Sequence, residues 1–136
     1  MNIQARHHAQ AVFELSARGH QLVSDNSLEQ GGTDAGPMPS EFLLCAVASC
    51  FGQAVQYVAK KMRKEIKGLS LDVEGVKDPK YFRFSTVNIR LSSASPPEQL
   101  EKVADLAKKY CFVVNSMSIP VTYEIVDNDR QAARQN

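Results

Sequence analysis

The sequence predicts an α+β fold in which a mainly antiparallel sheet packs on a long central helix and a second helix. Residues 42–51 are an apolar run inside the longest helical pattern, and residues 95–98 mark the start of the second helix. Segments that alternate apolar and polar residues, as strands do, lie before, between and after these helices. The predicted order is β-β-α-β-β-α-β, which is typical of α+β domains.

The length, net charge and composition of the chain exclude some classes of protein. Its 136 residues fit one domain over 1–136, with residues 127–136 predicted to be a loose polar tail. The net charge of +1 comes from mixed acids and bases, which argues against a nucleic-acid partner. No uninterrupted stretch reaches the roughly 18 apolar residues that cross a bilayer, and the N-terminus is too polar for a signal peptide. We therefore expect a cytoplasmic protein without a membrane partner.

The N-terminal segment predicts a hairpin followed by a loop. Residues 4–25 alternate with a period of two, and Arg18 and Gly19 supply the turn. Residues 26–39 are interrupted by glycines and prolines, so neither helix nor strand is expected there. The glycines are expected to let this loop approach the central helix closely.

The central helix is predicted to begin near Pro39 or Ser40 and to end at Gly68. Residues 42–51 are apolar or small on every side of the helix. Because a helix without a polar face has no face suited to water, its first half is expected to be buried. The second half is amphipathic.

Two strands and a bulge are predicted after the central helix. One strand covers residues 69–74, and the next runs from about residue 81 to residue 92. Apolar residues change parity within the second strand, and a bulge near Ser85 and Thr86 would turn both sets toward one core.

The second helix has a recognisable start. Ser95 is expected to cap it, Pro96 to occupy its first position and Glu98 to complete a capping box. Its spacing places Tyr110 and Cys111 on the inner face. An irregular piece over 113–119 and a last strand over 120–126 are expected to follow.

Cys50 is the candidate nucleophile. It lies about ten residues inside the central helix, on the order of 15 Å from the N-terminus, where the helix dipole has little effect. A cation would therefore have to favour its thiolate, and the candidates are Arg18, His20 and Arg83.

The other two cysteines differ in their relation to Cys50. Cys45 is about 140° away around the helix and is expected only to pack. Cys111 could meet Cys50 if the two helices pack together. An odd number of cysteines without a C-x-x-C spacing argues against a disulfide framework, and any of the three could simply fill space in a core.

Metal and phosphate sites are not expected. His7 and His8 are adjacent, so their rings would point to opposite faces of a strand, and no His or Cys pair has the spacing of a zinc site. The loop over 31–36 lacks the Lys and Ser or Thr that complete a phosphate-binding loop. No cofactor is predicted.

Several segments resemble the OsmC/Ohr superfamily. They are residues 31–32, 36–41, 43–44 and 46–50, with residues 109–113 matching the segment of a second cysteine. The resemblance implies an intertwined homodimer whose long helices lie between two sheets, with active sites at the subunit interface. The pattern is similar to the OsmC-like branch of these peroxide-stress thiol proteins.

The resemblance also implies an activity. In it, Cys50 is the peroxidatic thiolate that reduces organic hydroperoxides or hydrogen peroxide, and Cys111 is the resolving thiol. An external dithiol reductant would reopen the disulfide. The alternative is a non-catalytic module of the same fold that binds a small apolar ligand or a partner around Phe42, Cys50 and Phe51.

Three residues are possible supports for the nucleophile. Peroxidases of the family carry a glutamate directly after the loop proline, where this sequence has Ser40, and the acid follows one residue later at Glu41. That glutamate normally holds an arginine beside the thiolate, and Arg18 lies at about the corresponding place.

Overall fold

The computed structural model describes residues 1–127, so the predicted tail lies outside the described residues except for Asp127. The chain forms two compact units, Met1–Leu43 and Leu44–Asn136, each with its own three-stranded sheet. The fold is α+β, as predicted, and three of the four strand pairs in the described part are antiparallel. The single domain over residues 1–136 stays a prediction.

The N-terminal unit has three strands where two were predicted. Antiparallel strands β1 (Gln4–Ala9), β2 (Val12–Ala17) and β3 (His20–Ser24) lie in the order β1-β2-β3. Gln10 has a left-handed backbone, with a φ of 47°, and turns the chain inside the predicted first strand. The prediction of one long strand was wrong because small and polar side chains carry the alternating pattern across this turn.

The turn between β2 and β3 is the predicted one. Arg18 and Gly19 have φ angles of 52° and 83°, and Ala17 pairs with His20. Two successive left-handed residues match the twist of an antiparallel hairpin, so the predicted turn is confirmed.

A buried carboxylate fastens the loop that follows β3. The Asp25 carboxylate accepts backbone N–H bonds from Asn26 (2.7 Å), Thr33 (2.9 Å) and Ala35 (3.1 Å), and a bond of 2.6 Å from the Thr33 hydroxyl. The Thr33 hydroxyl makes the largest contribution to lowering the pKa of Asp25 to about 2, while burial acts in the opposite direction. An irregular loop is thus held by one ionised group.

Two loop glycines permit close backbone contacts within this unit. A Cβ atom on Gly32 would lie 2.1 Å from the Asn26 carbonyl oxygen, and one on Gly36 would lie 2.1 Å from that of Val23. These glycines were expected to let the loop approach the central helix. The structure instead shows them against the end of β3 and the start of the loop itself.

The long helix α1 (Pro39–Lys61) begins where it was predicted to begin and ends earlier than predicted. Arg63 takes a left-handed φ of 54°, and the Lys64 N–H bonds to the Ala59 carbonyl oxygen at 2.8 Å. This is the hydrogen bond of a Schellman motif, here with arginine in the position that usually holds glycine. Gly68, the predicted stop, lies outside the helix.

The two halves of α1 differ in burial, and the expectation for the first half was wrong. In this half only Val47 is buried, whereas Leu43 is 38% exposed and Cys45 is also exposed. The second half has one buried face, formed by Phe51, Ala54, Val55, Val58 and Ala59. The apolar surface of the first half is therefore only partly covered, with Leu44 and Cys50 packed against the core.

On length and composition alone, α1 could also span a membrane, because it contains an 18-residue window with few charges. A search for uninterrupted apolar residues does not detect such a helix, because small and polar residues interrupt the window. A core helix meets the same criterion, and the second half of α1 contributes its buried face to a core.

The second unit contains strands β4 (Ser70–Lys77), β5 (Phe84–Ser92) and β6 (Val121–Ile125), in the order β4-β5-β6. β4 and β5 are antiparallel, whereas β5 and β6 are parallel. The parallel pair requires a crossover between the two strands, and the second helix lies in it.

The bulge predicted in the second of these strands is present. Val76 pairs with Thr86 and Lys77 pairs with Phe84, so Ser85 is the extra residue. The extra residue shifts the side-chain parity of β5, so the predicted bulge is confirmed. The strand begins at Phe84 and not at about residue 81, and Phe82 lies outside it and is fully exposed rather than turned toward the core.

The second helix, α2 (Pro97–Ala107), does not have the predicted cap. Pro96 occupies the cap position, and no side chain bonds to the first turn. The Ser95 hydroxyl instead donates to the Glu65 carbonyl oxygen at 3.2 Å and accepts the Lys67 N–H at 3.0 Å. The predicted capping box was wrong because Ser95 bonds to the segment that precedes β4.

The chain after α2 is more regular than predicted. A 3-10 turn covers Lys108–Tyr110, and the short helix α3 (Phe112–Asn115) follows in part of the segment expected to be irregular. Cys111 lies between them and is fully buried, whereas Tyr110 is 49% exposed rather than inward. The predicted inner face of α2 is confirmed for Leu100, Val103, Ala104 and Ala107.

The core of the second unit joins α1, β5 and α2. The three β5 side chains in it are fully or almost fully buried, namely Val87, Ile89 and Leu91. Phe51 of α1 is 1% exposed and contacts the Tyr123 ring of β6, with centroids 5.8 Å apart. These contacts fix the rotation of α1 about its own axis.

Asp25 should make the stability of the protein depend on pH in the acid range. Folding lowers the pKa of Asp25 from 3.8 to about 2. The contribution of Asp25 to the free energy of unfolding is therefore present above about pH 4 and is lost as the pH falls toward 2. Asp25→Asn should lower the free energy of unfolding at neutral pH and flatten its decline below about pH 4, measured by urea unfolding. Asp34→Asn, an exposed aspartate of the same loop, is the control. Equal acid declines in wild type and Asp25→Asn would contradict this role.

Truncation of Phe51 should destabilise the protein severely. Removing a buried phenylalanine side chain costs about 3–5 kcal/mol, because apolar burial is lost and a cavity remains. Phe82→Ala is a matched control, because Phe82 is fully exposed, and it should change stability by less than about 0.5 kcal/mol. Urea unfolding measures both, and similar losses in the two variants would show that α1 is not anchored at Phe51.

Candidate functional site

Two elements of the second unit bring Cys50 and Cys111 together. Cys50 lies on α1 directly before Phe51 and is partly exposed, whereas Cys111 is fully buried between the 3-10 turn and α3. All three cysteines are free thiols. The pair therefore consists of one accessible sulfur and one sheltered sulfur.

The Cys50 sulfur accepts a hydrogen bond from the backbone of the neighbouring element. The Val113 N–H donates to Cys50 Sγ at 3.5 Å, which joins α1 to the first turn of α3. Such a bond strengthens when the acceptor sulfur is an anion. No side-chain motif announces a backbone donor, so this contact could not be found from the sequence.

The Cys111 thiol is held in its protonated form. Burial is the main cause that raises its pKa to about 11, and a hydrogen bond to Cys50 and the charge of the Cys50 thiolate raise it further. Backbone hydrogen bonds from Val114 and Val113 act in the opposite direction. At neutral pH Cys111 is thus a neutral thiol in contact with Cys50.

Cys45 was expected only to pack, but within the described chain it is exposed. Its side chain is exposed on the first half of α1, about 140° around the helix from Cys50. The structure brings together the pair Cys50 and Cys111 and leaves Cys45 apart.

The three predicted supporting residues all belong to the N-terminal unit. Arg18 occupies the left-handed turn after β2, and Ser40 is exposed in the first turn of α1. The Glu41 carboxylate accepts the Met38 N–H at 2.7 Å, so it satisfies a backbone donor at the helix start. Because α1 is helical from Pro39 onward, Ser40 and Glu41 lie on different faces, and Glu41 does not occupy the place of Ser40.

Another candidate cation has a different role in the structure. The Arg83 guanidinium donates to the Asp78 carboxylate at 3.1 Å and lies over the Tyr81 ring in the turn between β4 and β5. These contacts stabilise the turn. His20 begins β3 in the N-terminal unit.

A cluster of aromatic rings and a cation lies along the same two elements as the thiols. The Tyr57 and Tyr110 rings are tilted against each other, with centroids 5.3 Å apart. Lys61 Nζ lies 5.1 Å from the Tyr57 centroid and 5.3 Å from the Tyr110 centroid. Tyr110 was predicted on the inner face of the second helix, and no local pattern joins it to Lys61, so this cluster was not predicted from the sequence.

The sequence of this chain matches the model of a known protein family. The model of the family described as OsmC-like protein matches residues 31–125, which is more than half of the chain. The chain belongs to the OsmC-like protein family. This confirms the resemblance to the OsmC/Ohr superfamily. A search of curated proteins found no match.

Solved structures share the OsmC-like fold. An OsmC-like protein of unknown function from Vibrio cholerae is 21% identical, with a TM-score of 0.79 over 92% of this chain and 97% of that chain. An OsmC-like protein from Mycoplasma pneumoniae is 18% identical, with a TM-score of 0.80 over 93% and 95% of the two chains. The organic hydroperoxide resistance protein OhrB of Bacillus subtilis is 19% identical, with a TM-score of 0.67 over 92% and 96%.

A small cavity of this OsmC-like protein is lined in part by sequence neighbours of the two thiols, namely Phe51, which follows Cys50, and Val114, three residues after Cys111. Its volume is about 180 Å³, and its lining residues come from α1, β5, β6 and the segment after α2, namely Phe51, Ile89, Lys108, Val114, Asn115, Val121, Thr122 and Tyr123. Phe51 belongs to the apolar pocket predicted for the alternative function. Within residues 1–127 no group of three or more His, Cys, Asp or Glu side chains is placed to hold a metal ion.

The elevated pKa of Cys111 should appear in its reactivity. In reduced protein, Cys111 should form its thiolate only as the pH approaches about 11, so iodoacetamide should label it slowly at neutral pH. Cys50→Ser removes a charge and a hydrogen bond that raise this pKa, while burial, the main cause, remains. The pKa of Cys111 in that variant should therefore fall only in part.

Mass spectrometry of labelling rates across a pH series measures this directly. Exposed Cys45 is the internal control, because unfolding would accelerate labelling of Cys111 relative to Cys45. Rapid labelling of Cys111 in the folded protein near neutral pH would contradict the buried, protonated thiol.

Proposed function

We propose that this OsmC-like protein is a cytoplasmic thiol peroxidase that reduces organic hydroperoxides or hydrogen peroxide in oxidative-stress defence. The observation that carries the proposal is that the segment holding buried Cys111 lies against partly exposed Cys50, where the Val113 N–H donates to Cys50 Sγ at 3.5 Å. Membership of the OsmC-like family and the shared fold with an organic hydroperoxide resistance protein support it. Three free cysteines agree with a reducing compartment.

In the first proposed step, the Cys50 thiolate attacks one peroxide oxygen. The O–O bond breaks, and the leaving oxygen takes a proton from solvent to become an alcohol, or water when hydrogen peroxide is the substrate. Cys50 is oxidised to a sulfenic acid. Partial exposure of Cys50 lets the peroxide reach it, and the Val113 N–H contributes a hydrogen bond to the anionic sulfur.

In the second proposed step, Cys111 resolves the sulfenic acid. The Cys111 sulfur forms a bond to Cys50 Sγ, the hydroxyl group leaves, and it takes the Cys111 proton to form water. Oxidation of Cys50 removes the thiolate charge that helps to raise the pKa of Cys111, although burial continues to raise it. An external dithiol then reduces the disulfide and is itself oxidised, so no bound cofactor is needed.

We propose that the protein acts as an intertwined homodimer. The exposed apolar surface of the first half of α1, including Leu43 and Cys45, supports this arrangement, because exposed apolar surface of this kind marks contact sites. Arg18, Ser40 and Glu41 are proposed as supporting residues for Cys50. The bond from the Met38 N–H to Glu41 favours a helix-capping role for that carboxylate.

The second candidate function is a non-catalytic module that binds a small apolar ligand. The cavity lined by Phe51 and Val114 favours it, because ligand sites are concave and mainly apolar. Its volume of about 180 Å³ is below the range of about 300–1,000 Å³ usual for drug-sized ligands, so the peroxidase is our first choice.

Peroxide oxidation of single-cysteine variants should separate the two functions. Low concentrations of cumene hydroperoxide should convert reduced wild type to a Cys50–Cys111 disulfide. Cys111→Ser should accumulate a Cys50 sulfenic acid that dimedone traps, and Cys50→Ser should lose peroxide consumption by on the order of a hundredfold or more. Mass spectrometry and peroxide consumption measure these outcomes.

Cys45→Ser is the matched control and should keep wild-type activity, because its sulfur is not part of the pair. If Cys50 remains reduced while Cys45 or Cys111 oxidises, the peroxidase function is wrong and the ligand-binding module takes its place.

A further inference from the structure

One stripe of α1 carries Cys50, Tyr57 and Lys61. Tyr57 is seven residues and Lys61 eleven residues after Cys50, so at about 100° per residue both lie within about 20° of the same line along the helix. They are displaced along the axis by about 10 Å and about 16 Å, at 1.5 Å per residue. The stripe therefore begins at the accessible thiol and extends toward the end of α1.

The segment that holds Cys111 contacts this stripe at two places. At one place the Val113 N–H, two residues after Cys111, donates to Cys50 Sγ at 3.5 Å. At the other the Tyr110 ring packs against Tyr57, with Lys61 Nζ over both rings. Because Tyr110 directly precedes Cys111, the aromatic contact limits how far the sheltered sulfur can move from α1.

The contacts among Tyr57, Tyr110 and Lys61 can hold an exposed segment in position. Aromatic pairs prefer tilted arrangements at such distances, and an ammonium group within about 6 Å of an aromatic centroid is attracted by the ring. The Lys61 ammonium is charged at neutral pH, and its hydrogen bond to Tyr57 is the first cause that raises its pKa. Tyr57 and Tyr110 are each about half exposed, so hydrophobic burial alone does not account for their contact.

We infer that Tyr57, Tyr110 and Lys61 form a clamp that positions the resolving cysteine. Their contacts with one another hold the Lys108–Tyr110 turn on α1, so that Cys111 stays within reach of Cys50. Loss of the clamp should reduce the effective concentration of Cys111 at Cys50 and should leave the first attack on peroxide unchanged. This role deepens the proposed peroxidase function, on which it rests.

Equilibration with glutathione measures this effective concentration without any peroxide. The Cys50 thiolate first displaces one glutathione from glutathione disulfide. The Cys111 sulfur then attacks Cys50 Sγ in this mixed disulfide. The second glutathione leaves as a thiol, and the Cys50–Cys111 disulfide forms. The ratio of reduced to disulfide protein at known glutathione concentrations gives the effective concentration of the pair.

The clamp variants should weaken the internal disulfide. In Tyr110→Leu the effective concentration should fall by about threefold to tenfold, because the ring contact and the cation contact are both lost. Lys61→Gln should cause a fall of about twofold to threefold, while Tyr110→Phe, which keeps an aromatic ring, should stay within about twofold of wild type. Tyr81→Leu is the matched control, because Tyr81 is an exposed tyrosine beneath cations in another turn, and it should have no effect.

A second readout follows the proposed catalytic cycle. With cumene hydroperoxide, Tyr110→Leu should form the Cys50 sulfenic acid at the wild-type rate, but dimedone should trap a severalfold larger share of it. Urea unfolding checks that the variants are folded, and if Tyr110→Leu is not, Lys61→Gln carries the test alone.

The inference and the proposed function fail in different ways. Equal effective concentrations in wild type, Tyr110→Leu and Lys61→Gln would overturn the clamp, even if peroxide oxidises Cys50 as proposed. If peroxide leaves Cys50 reduced but the variants still weaken the disulfide made with glutathione, the clamp stands and the peroxidase function is wrong.

Discussion

The burial of one face of α1 is the constraint on which the second unit depends. Phe51, Val55 and Val58 lie in a core shared with β5 and α2, and each is almost completely removed from water. A rotation of α1 would expose this face, at a cost of about 1.5–3 kcal/mol for each large side chain. The direction of every other α1 residue, including Cys50, follows from that packing.

The same packing gives the two thiols different exposure to solvent. Cys50 lies beside the buried face and remains partly exposed, whereas Cys111 is enclosed where α2 gives way to α3. Burial disfavours the charged form of Cys111, so the sheltered sulfur is a protonated thiol beside an accessible one. This difference between the environments, and not a difference between two cysteine side chains, supports their assignment as resolving and attacking groups.

The N-terminal unit shows where sequence patterns have limits. Glycines and prolines predicted a loop without helix or strand over residues 26–39, and the loop is present but contains a 3-10 turn over Leu28–Gln30. Asp25, which fastens the loop, belongs to no motif. Its role depends on backbone donors that come from the start and from the middle of the loop. Likewise Ser95 had every local sign of a helix cap, yet its hydroxyl bonds to the Glu65 carbonyl oxygen, about 30 residues away in sequence. Local patterns cannot weigh a distant acceptor against a near one.

The sequence by itself determined the α+β class, the start of α1, the bulge at Ser85 and the family. These features follow from residue spacing, turn residues and short motifs, all of which act over a few positions of the chain. Only the tertiary structure decided that the first half of α1 is partly exposed in this chain, that the Cys111 segment reaches Cys50, and that Tyr57 and Lys61 contact Tyr110. Those facts depend on which surfaces meet when the core forms, and contacts between residues far apart along the chain leave no periodic signal in it.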